Sequence, residues 1–242
     1  MREDYLHLYR QLYLRHWWWR AREKLILKTL RTLQPAQGWN TILDVGCGDG
    51  LFFDQLSQFG EVEGVEPEAK LVNPQGAHSS RIHICPFDEK FQPGKQYSLI
   101  LMLDVLEHLA DPAAALRRAL ALLAPHGILL VTVPAFKSLW TNHDVINEHL
   151  TRYTRSTFRE VARQAGFSIQ GERYFFQWLL PLKLATRIAE RLMSLPPRPT
   201  AIPPHVVNTL SYLLSRLEQR TWGALPWPFG SSLMVWGGTS PT

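Results

Sequence analysis

LDVGCGDG, residues 43–50, is the stretch on which the fold turns. A short apolar run delivers Asp44 and then breaks into Gly46, Gly48 and Gly50. Glycines at alternate positions let a backbone bend tightly against a ligand. A helical pattern over 50–58 follows, so the N–H groups of a helix start would point at the same place. A second apolar run, EVEGVE at 61–66, ends in Glu66, where a carboxylate can accept both hydroxyls of a ribose.

Two ligand classes use this arrangement. A nicotinamide dinucleotide asks for GxGxxG, with a helix start facing its pyrophosphate. Here the spacing is GxGxG, and Asp44 stands two residues before the first glycine. A carboxylate beside the loop repels phosphate and suits a ligand that carries an amino group. S-adenosylmethionine has an ammonium, a sulfonium and a ribose, and no phosphate.

Further apolar runs lie outward from the loop. RIHIC (81–85), YSLILML (97–103) and GILLVTVP (127–134) read as strands, with a helical pattern at 112–124. Strand and helix in alternation predict a parallel sheet covered on both faces. A helix over 154–165 stops at Gly166, and SIQGERYFF (168–176) and SSLMVWGG (231–238) read as closing strands.

LDVGCGDG, VEGVE, LILMLDVLEHLADP and LLAPHGILLVTVP, in that order, resemble the motifs of class I S-adenosylmethionine-dependent methyltransferases. The resemblance covers about residues 40–170. It implies an α/β, Rossmann-like, seven-stranded and mostly parallel sheet that ends in an antiparallel hairpin. It also implies cofactor contacts from Asp44, Gly46, Cys47, Gly48 and Glu66, with Leu103 and Asp104 at the end of the fourth strand. Phe87 and Asp88 would face the adenine, although this chain has Cys85 or Pro86 where the family places an acid after the third strand.

DVLEH, 104–108, sets Asp104, Glu107 and His108 at i, i+3 and i+4, one face of a helix. Three roles fit: ligands for Mg²⁺ or Mn²⁺, a general base at His108, or acids that steady a helix start. The run is similar to the ExxEH of ubiquinone-biosynthesis O-methyltransferases and small-RNA 2′-O-methyltransferases, where it ligates a metal. Asp104 is one methylene shorter than that motif's first acid. A second polar run, HDVINEHLTRY at 143–153, follows the fifth strand. By the same resemblance His149 completes the metal set Asp104, Glu107, His108 and His149. His108, His143 and His149 are the candidate bases, and Arg152 and Tyr153 could grip a substrate group.

Outside this core, residues 3–33 read as one cap helix, with Tyr5, Tyr9, Tyr13 and Trp17 in a stripe. HWWWRAR (16–22), the 143–153 loop and an apolar insertion together resemble a bacterial subgroup of the family. In it, Trp17 is expected in the cap's core stripe, Trp18 and Trp19 at the cleft or the insertion, and Arg20 and Arg22 on an acidic substrate group. The insertion holds WLLPLKLATRIAERLMSL (178–195), a proline-rich break and HVVNTLSYLLSRLEQRTW (205–222). Lys183, Arg187 and Arg191 share one face of its first helix. That helix either lies in a membrane interface or packs on the core with its basic face solvated, the commoner arrangement. Exposed aromatics in LPWPFG (225–230) would suit headgroup level. The expected divisions are a cap (1–38), a core (39–177), the insertion (178–229) and a final strand (230–242).

Composition bounds the rest. The chain has 242 residues and a net charge of +5, too weakly basic for a dedicated nucleic-acid binder. Two cysteines without CxxC spacing argue for a reducing cytoplasm. The N-terminus lacks a signal-peptide pattern, and no run is apolar enough to span a bilayer. The expectation is methyl transfer to oxygen of a small-molecule or lipid-linked acceptor, in the cytoplasm or peripherally on the inner membrane surface. The alternatives are a nicotinamide-dependent oxidoreductase, an RNA methyltransferase, or a cofactor-binding partner protein without turnover.

Overall fold

The computed structural model describes residues 2–193, 196 and 199–239, with side chains from Leu8 onward. Its strands are β1 Thr41–Val45, β2 Glu61–Val65, β3 Ile82–His83, β4 Tyr97–Leu103, β5 Leu123–Pro134, β6 Phe167–Phe175 and β7 Ser232–Thr239. They form one seven-stranded sheet in the order β3-β2-β1-β4-β5-β7-β6. Pairing is parallel from β3 through β5, and β7 runs antiparallel to both β5 and β6. The connection leaves β1 for β2 on one side and returns to β4 on the other. A crevice therefore opens at the carboxyl ends of β1 and β4, where sheets of this type bind ligands.

Both central strands are buried because helices cover both faces. Alternation along each strand divides their side chains between two cores. Leu43, Ile100 and Met102 face the helices α4 (Pro112–Leu122) and α6 (Arg155–Ala165). Ile42, Leu99 and Leu101 face α2 (Trp17–Leu33) and the short α3 (Phe53–Leu56). Asp111 caps α4 by accepting from the Ala114 N–H, and Gly166 closes α6 in the left-handed conformation. The other helices are α1 (Arg2–Arg15), α5 (Asn142–Ile146), α7 (Leu179–Met193) and α8 (His205–Arg220). Neither Cys47 nor Cys85 is in a disulfide.

Several local expectations are corrected. The N-terminal segment is two helices. His16 leaves helical geometry and caps α2, its ring accepting from the Trp18 N–H. The break divides the aromatic stripe: Tyr9 and Tyr13 stay on α1, while Trp17 starts α2 and packs edge-on against Phe176. The Tyr5 side chain lies outside the described residues. The helix expected at 50–58 shrinks to α3, the third strand to two residues, and the fifth strand starts earlier, at Leu123.

The insertion helices are turned opposite to the commoner arrangement. Among α7's described residues only Leu179 is fully buried. Lys183 and Arg187 are directed inward while Arg191 stays exposed: Arg187 donates to the carbonyls of Lys137 and Ser138, and Glu190 accepts from the Asn142 N–H at 2.9 Å. The buried residues of α8 are all polar, namely Asn208, Ser215, Glu218 and Gln219. Asn208 and Gln219 attach the insertion to the N-terminal helices. Asn208 accepts from the Trp17 N–H and donates to the Arg15 carbonyl, both at 2.8 Å. Gln219 donates to the Ala21 carbonyl, and Glu218 accepts from the Trp178 N–H. The break at His16 frees backbone groups that a continuous helix would have paired, and Asn208 satisfies them.

Candidate active site

The glycine loop takes the shape its sequence requires. Gly46 and Gly48 sit at φ 72° and 54°, the left-handed region that costs other residues. A Cβ on Gly46 would stand 2.8 Å from Val105 Cγ2. Glu66 closes the loop from β2: one carboxylate oxygen accepts from the Gly48 N–H at 3.0 Å, the other from the Glu68 N–H at 2.9 Å. Each oxygen keeps lone pairs for a diol. Burial raises the Glu66 pKa above its ordinary value.

A cleft of about 470 Å³, its open mouth included, lies beside the loop. Asp44, Gly46, Cys47 and Leu103 line it from the sheet, and Tyr9, Tyr13, Trp19 and Arg22 from the N-terminal helices. The Cys47 sulfur is directed away, against Gly64 and Phe53. Only the backbone of Cys47 is therefore offered to a ligand.

Asp44 is 5% exposed and lines the cleft. Burial lifts its pKa to about 7; Arg22 opposes the rise and Glu66 adds to it. An acid so placed favours an arriving cation. The Tyr9 ring lies over the loop, with Cε1 3.5 Å from where a Gly48 Cβ would be. Burial pushes its hydroxyl up to about 12.

The tryptophans now separate. Trp17 is core. Trp18 lies beside Phe176 and under the Arg22 guanidinium, 5.2 Å from it. Trp19 lines the cleft. Arg20 stacks on Tyr212 of α8, so it joins the cap to the insertion. Arg22 turns into the cleft, pairs with Asp104 and donates to Thr132 Oγ1 at 3.2 Å.

DVLEH forms no α-helix. Asp104 adopts φ 57°, and Leu106–His108 make a single 3₁₀ turn. Asp104 is thereby held by Arg22 and by the Thr132 hydroxyl and is not among the residues whose ligand atoms converge. Glu107, His108 and His149 do come together, with one ligand atom from each within 4.8 Å of the others. Two contacts latch the 141–153 loop onto the turn: Leu150 N–H to the Glu107 carbonyl at 2.7 Å, and the Tyr153 hydroxyl to the Leu106 carbonyl at 3.2 Å. The His108 and His149 rings meet edge to face at 4.9 Å.

Glu107 is 1% exposed, and neither carboxylate oxygen has a hydrogen-bond partner. Burial, then the nearby Asp104 charge, drives its pKa well above the ordinary value. Burial and the neighbouring His149 lower that of His108. Behind His149, Asp144 accepts from its Nδ1 at 2.8 Å and from Arg152 at 2.7 and 3.0 Å. Burial opposes ionisation of Asp144, but the His149 and Arg152 hydrogen bonds outweigh it and hold the carboxyl far below the usual range.

The remaining expected residues stand aside. The His143 ring is 6.2 Å from His149 and is solvent-exposed. Asp88 is exposed and accepts from the Lys90 N–H in its own loop, while Phe87 packs on Phe91. Tyr9 and Tyr13 were not legible as cleft residues, nor Thr132 as the partner of Arg22 and Asp104. The four-residue tyrosine spacing was a signal, but spacing does not say which surface a stripe meets.

A methyltransferase-domain family model matches residues 7–171. The chain is 32% identical over 111 residues to a ubiquinone biosynthesis O-methyltransferase of Bradyrhizobium diazoefficiens, covering 43% of this chain and 44% of that protein. The match thus spans less than half the length of that relative. Two solved structures share the fold at 16% identity. One is a chain of the Haloferax volcanii complex between the Trm112 methyltransferase activator and a methyltransferase (TM-score 0.60, 99% of this chain and 96% of that one). The other is an S-adenosylmethionine-dependent methyltransferase from Archaeoglobus fulgidus (TM-score 0.55, 89% and 93%). Loop, sheet order and family match agree: the chain belongs to the methyltransferase-domain family, the class I S-adenosylmethionine-dependent methyltransferases.

Proposed function

We propose that this protein transfers a methyl group to a hydroxyl oxygen of a small or lipid-linked acceptor. The observation that carries the reading is the convergence of Glu107, His108 and His149 at the turn that follows Asp104, the partner of the cleft-lining Arg22. The similarity to ubiquinone biosynthesis O-methyltransferases supports an oxygen acceptor. The nicotinamide alternative falls with the family assignment. When bound, the cofactor supplies the electrophilic methyl group. Asp44 pairs with its ammonium, and Glu66 accepts from its ribose diol. The aromatic wall of Tyr9, Tyr13 and Trp19 shields the reacting centre from water.

A divalent cation fits the three-residue group. A buried carboxylate with both oxygens orphaned is costly, and a cation would offset that cost. Two imidazoles and one carboxylate suit Mn²⁺ better than Mg²⁺, which prefers oxygen ligands. Glu107, His108 and His149 would hold it, and Asp144 would fix the His149 ring from behind. Such an ion would supply Lewis acidity toward an acceptor hydroxyl. Asp104 serves the cleft instead, as the partner of Arg22.

The test is calorimetric titration with S-adenosylhomocysteine, with and without Mn²⁺, followed by methyl-transfer assays on phenol and lipid-quinol acceptors. Binding with Mn²⁺-stimulated transfer is expected. Failure to bind S-adenosylhomocysteine sinks the reading. Tight binding with no transfer to any acceptor, RNA included, returns the protein to the role of a partner without turnover.

A further inference from the structure

The insertion carries apolar side chains that the other described residues leave uncovered. On α7, Leu182, Leu184, Ile188, Leu192 and Met193 are exposed, Leu192 to 79%. At 100° per residue they occupy one half of the helix, opposite Lys183 and Arg187. On α8, Val206, Val207, Leu210, Leu213, Leu214 and Leu217 are exposed, Leu210 to 60%. These fall within about a third of that helix's circumference, opposite the buried Asn208, Ser215 and Gln219. Both helices therefore present apolar side chains outward and bury polar ones, the inverse of a surface helix. Single exposed leucines need no explanation, but an apolar stripe along each of two helices of one insertion does.

We infer that this face docks on an anionic lipid bilayer. Charge selects that occupant. With Lys183 and Arg187 turned inward, the described cations left on the insertion's outer side are Arg191, Arg220 and the half-buried Arg216, against only Glu190 and Glu218. Both acids are turned into the protein, Glu190 to the Asn142 N–H and Glu218, 1% exposed, to the Trp178 N–H. Arg191 and Arg220 remain exposed beside the leucines. A second copy would bring cations against cations, whereas anionic headgroups answer them. Trp227, 38% exposed at the end of the unit, suits the headgroup level.

The geometry is that of a surface anchor. The two helices have 15 and 16 residues, about 22–24 Å each, short of the ~30 Å hydrocarbon layer. No described helix is long and apolar enough to cross a membrane. Lying flat, each would sink its apolar side about 5–10 Å. Because α7 is bonded to Lys137, Ser138 and Asn142, it abuts the loop that carries His149. Docking would set the acceptor side of the cleft against the bilayer.

The experiment is co-sedimentation of the whole protein with vesicles of phosphatidylglycerol and phosphatidylethanolamine, and with phosphatidylcholine vesicles as comparison. The protein is expected to pellet with the anionic vesicles and less with the neutral ones. The pair Leu210→Glu and Leu213→Glu is expected to lower partitioning at least about tenfold, with S-adenosylhomocysteine affinity unchanged. Arg191→Glu with Arg220→Glu, on exposed side chains that do not risk the fold, should weaken anionic binding alone. Retention in the supernatant with every vesicle overturns the inference. So does a dimer in light scattering that the leucine substitutions dissociate, which would make the occupant a second copy. Cofactor affinity, read in the same samples, separates these outcomes from failure of the methyltransferase reading.

Discussion

Replacing Asp44 by Asn should stabilise the empty protein while removing its cofactor affinity. The Asp44 carboxyl is buried, and its pKa rises from 3.8 to about 7. Between those values the folded protein holds a proton that the unfolded chain has released. Stability from this group therefore falls as pH rises across that window and levels above it. A shift of about three units corresponds to about 4 kcal/mol at 1.36 kcal/mol per unit. Asn keeps the shape and the polar burial without the charge, so most of that penalty, about 3 kcal/mol, should be recovered at pH 8 and almost none at pH 4. For a chain of this size the gain corresponds to a Tm rise of about 6–12 °C. The same change removes the counter-charge for the cofactor's ammonium, and S-adenosylhomocysteine affinity should fall by about a hundredfold. In the unsubstituted protein the affinity should weaken by up to about tenfold per pH unit below 7, because binding must first expel the proton. Urea denaturation at both pH values, with calorimetry at pH 8, measures all three. An Asn variant no more stable at pH 8, or one that still binds S-adenosylhomocysteine tightly, would refute the placement of Asp44 as the buried acid that receives the cofactor.

Other expectations follow from the same geometry. Glu107→Gln should abolish Mn²⁺ binding and lower kcat with S-adenosylhomocysteine affinity unchanged; metal analysis after dialysis checks it, and retained Mn²⁺ would remove Glu107 from the ligand set. Asp144→Ala strands the buried Arg152 guanidinium and should cost about 3–5 kcal/mol in urea unfolding. Because the Asp144 carboxyl is held below its ordinary pKa, its contribution should be present above about pH 4 and lost as pH falls below it. Gly46→Ala places a Cβ 2.8 Å from Val105 Cγ2 at φ 72°, so calorimetry should show cofactor binding lost in a protein still folded by circular dichroism.

The covered sheet and its ligand crevice were legible because their signals are local. A strand buried on both faces must be apolar throughout, as YSLILML is, and a loop needing positive φ must use glycine, as VGCGDG does. Asp44 and Glu66 follow from the same reasoning, since strand ends fix where side chains on parallel neighbours arrive. The tryptophan run was legible only as a requirement for more than one partner; Phe176, Trp178 and the cleft supply them from distant parts of the chain.

What the sequence by itself determined is the order of strands and helices, the glycine turn and the acids beside it. These depend on periodicity and on backbone conformations that single residue types control. Tertiary structure alone decided the rest. Asp104 left the metal group because its backbone turns left-handed and Arg22, from the N-terminal cap, takes its carboxylate. His149 joined Glu107 because the Leu150 N–H and the Tyr153 hydroxyl latch together two loops some forty residues apart in sequence. The insertion helices show the same limit. Their amphipathic pattern is plain in the sequence, but a period of 3.6 says only that two faces differ. Which face turns inward was set by the broken helix at His16, whose freed backbone groups required the polar side of α8.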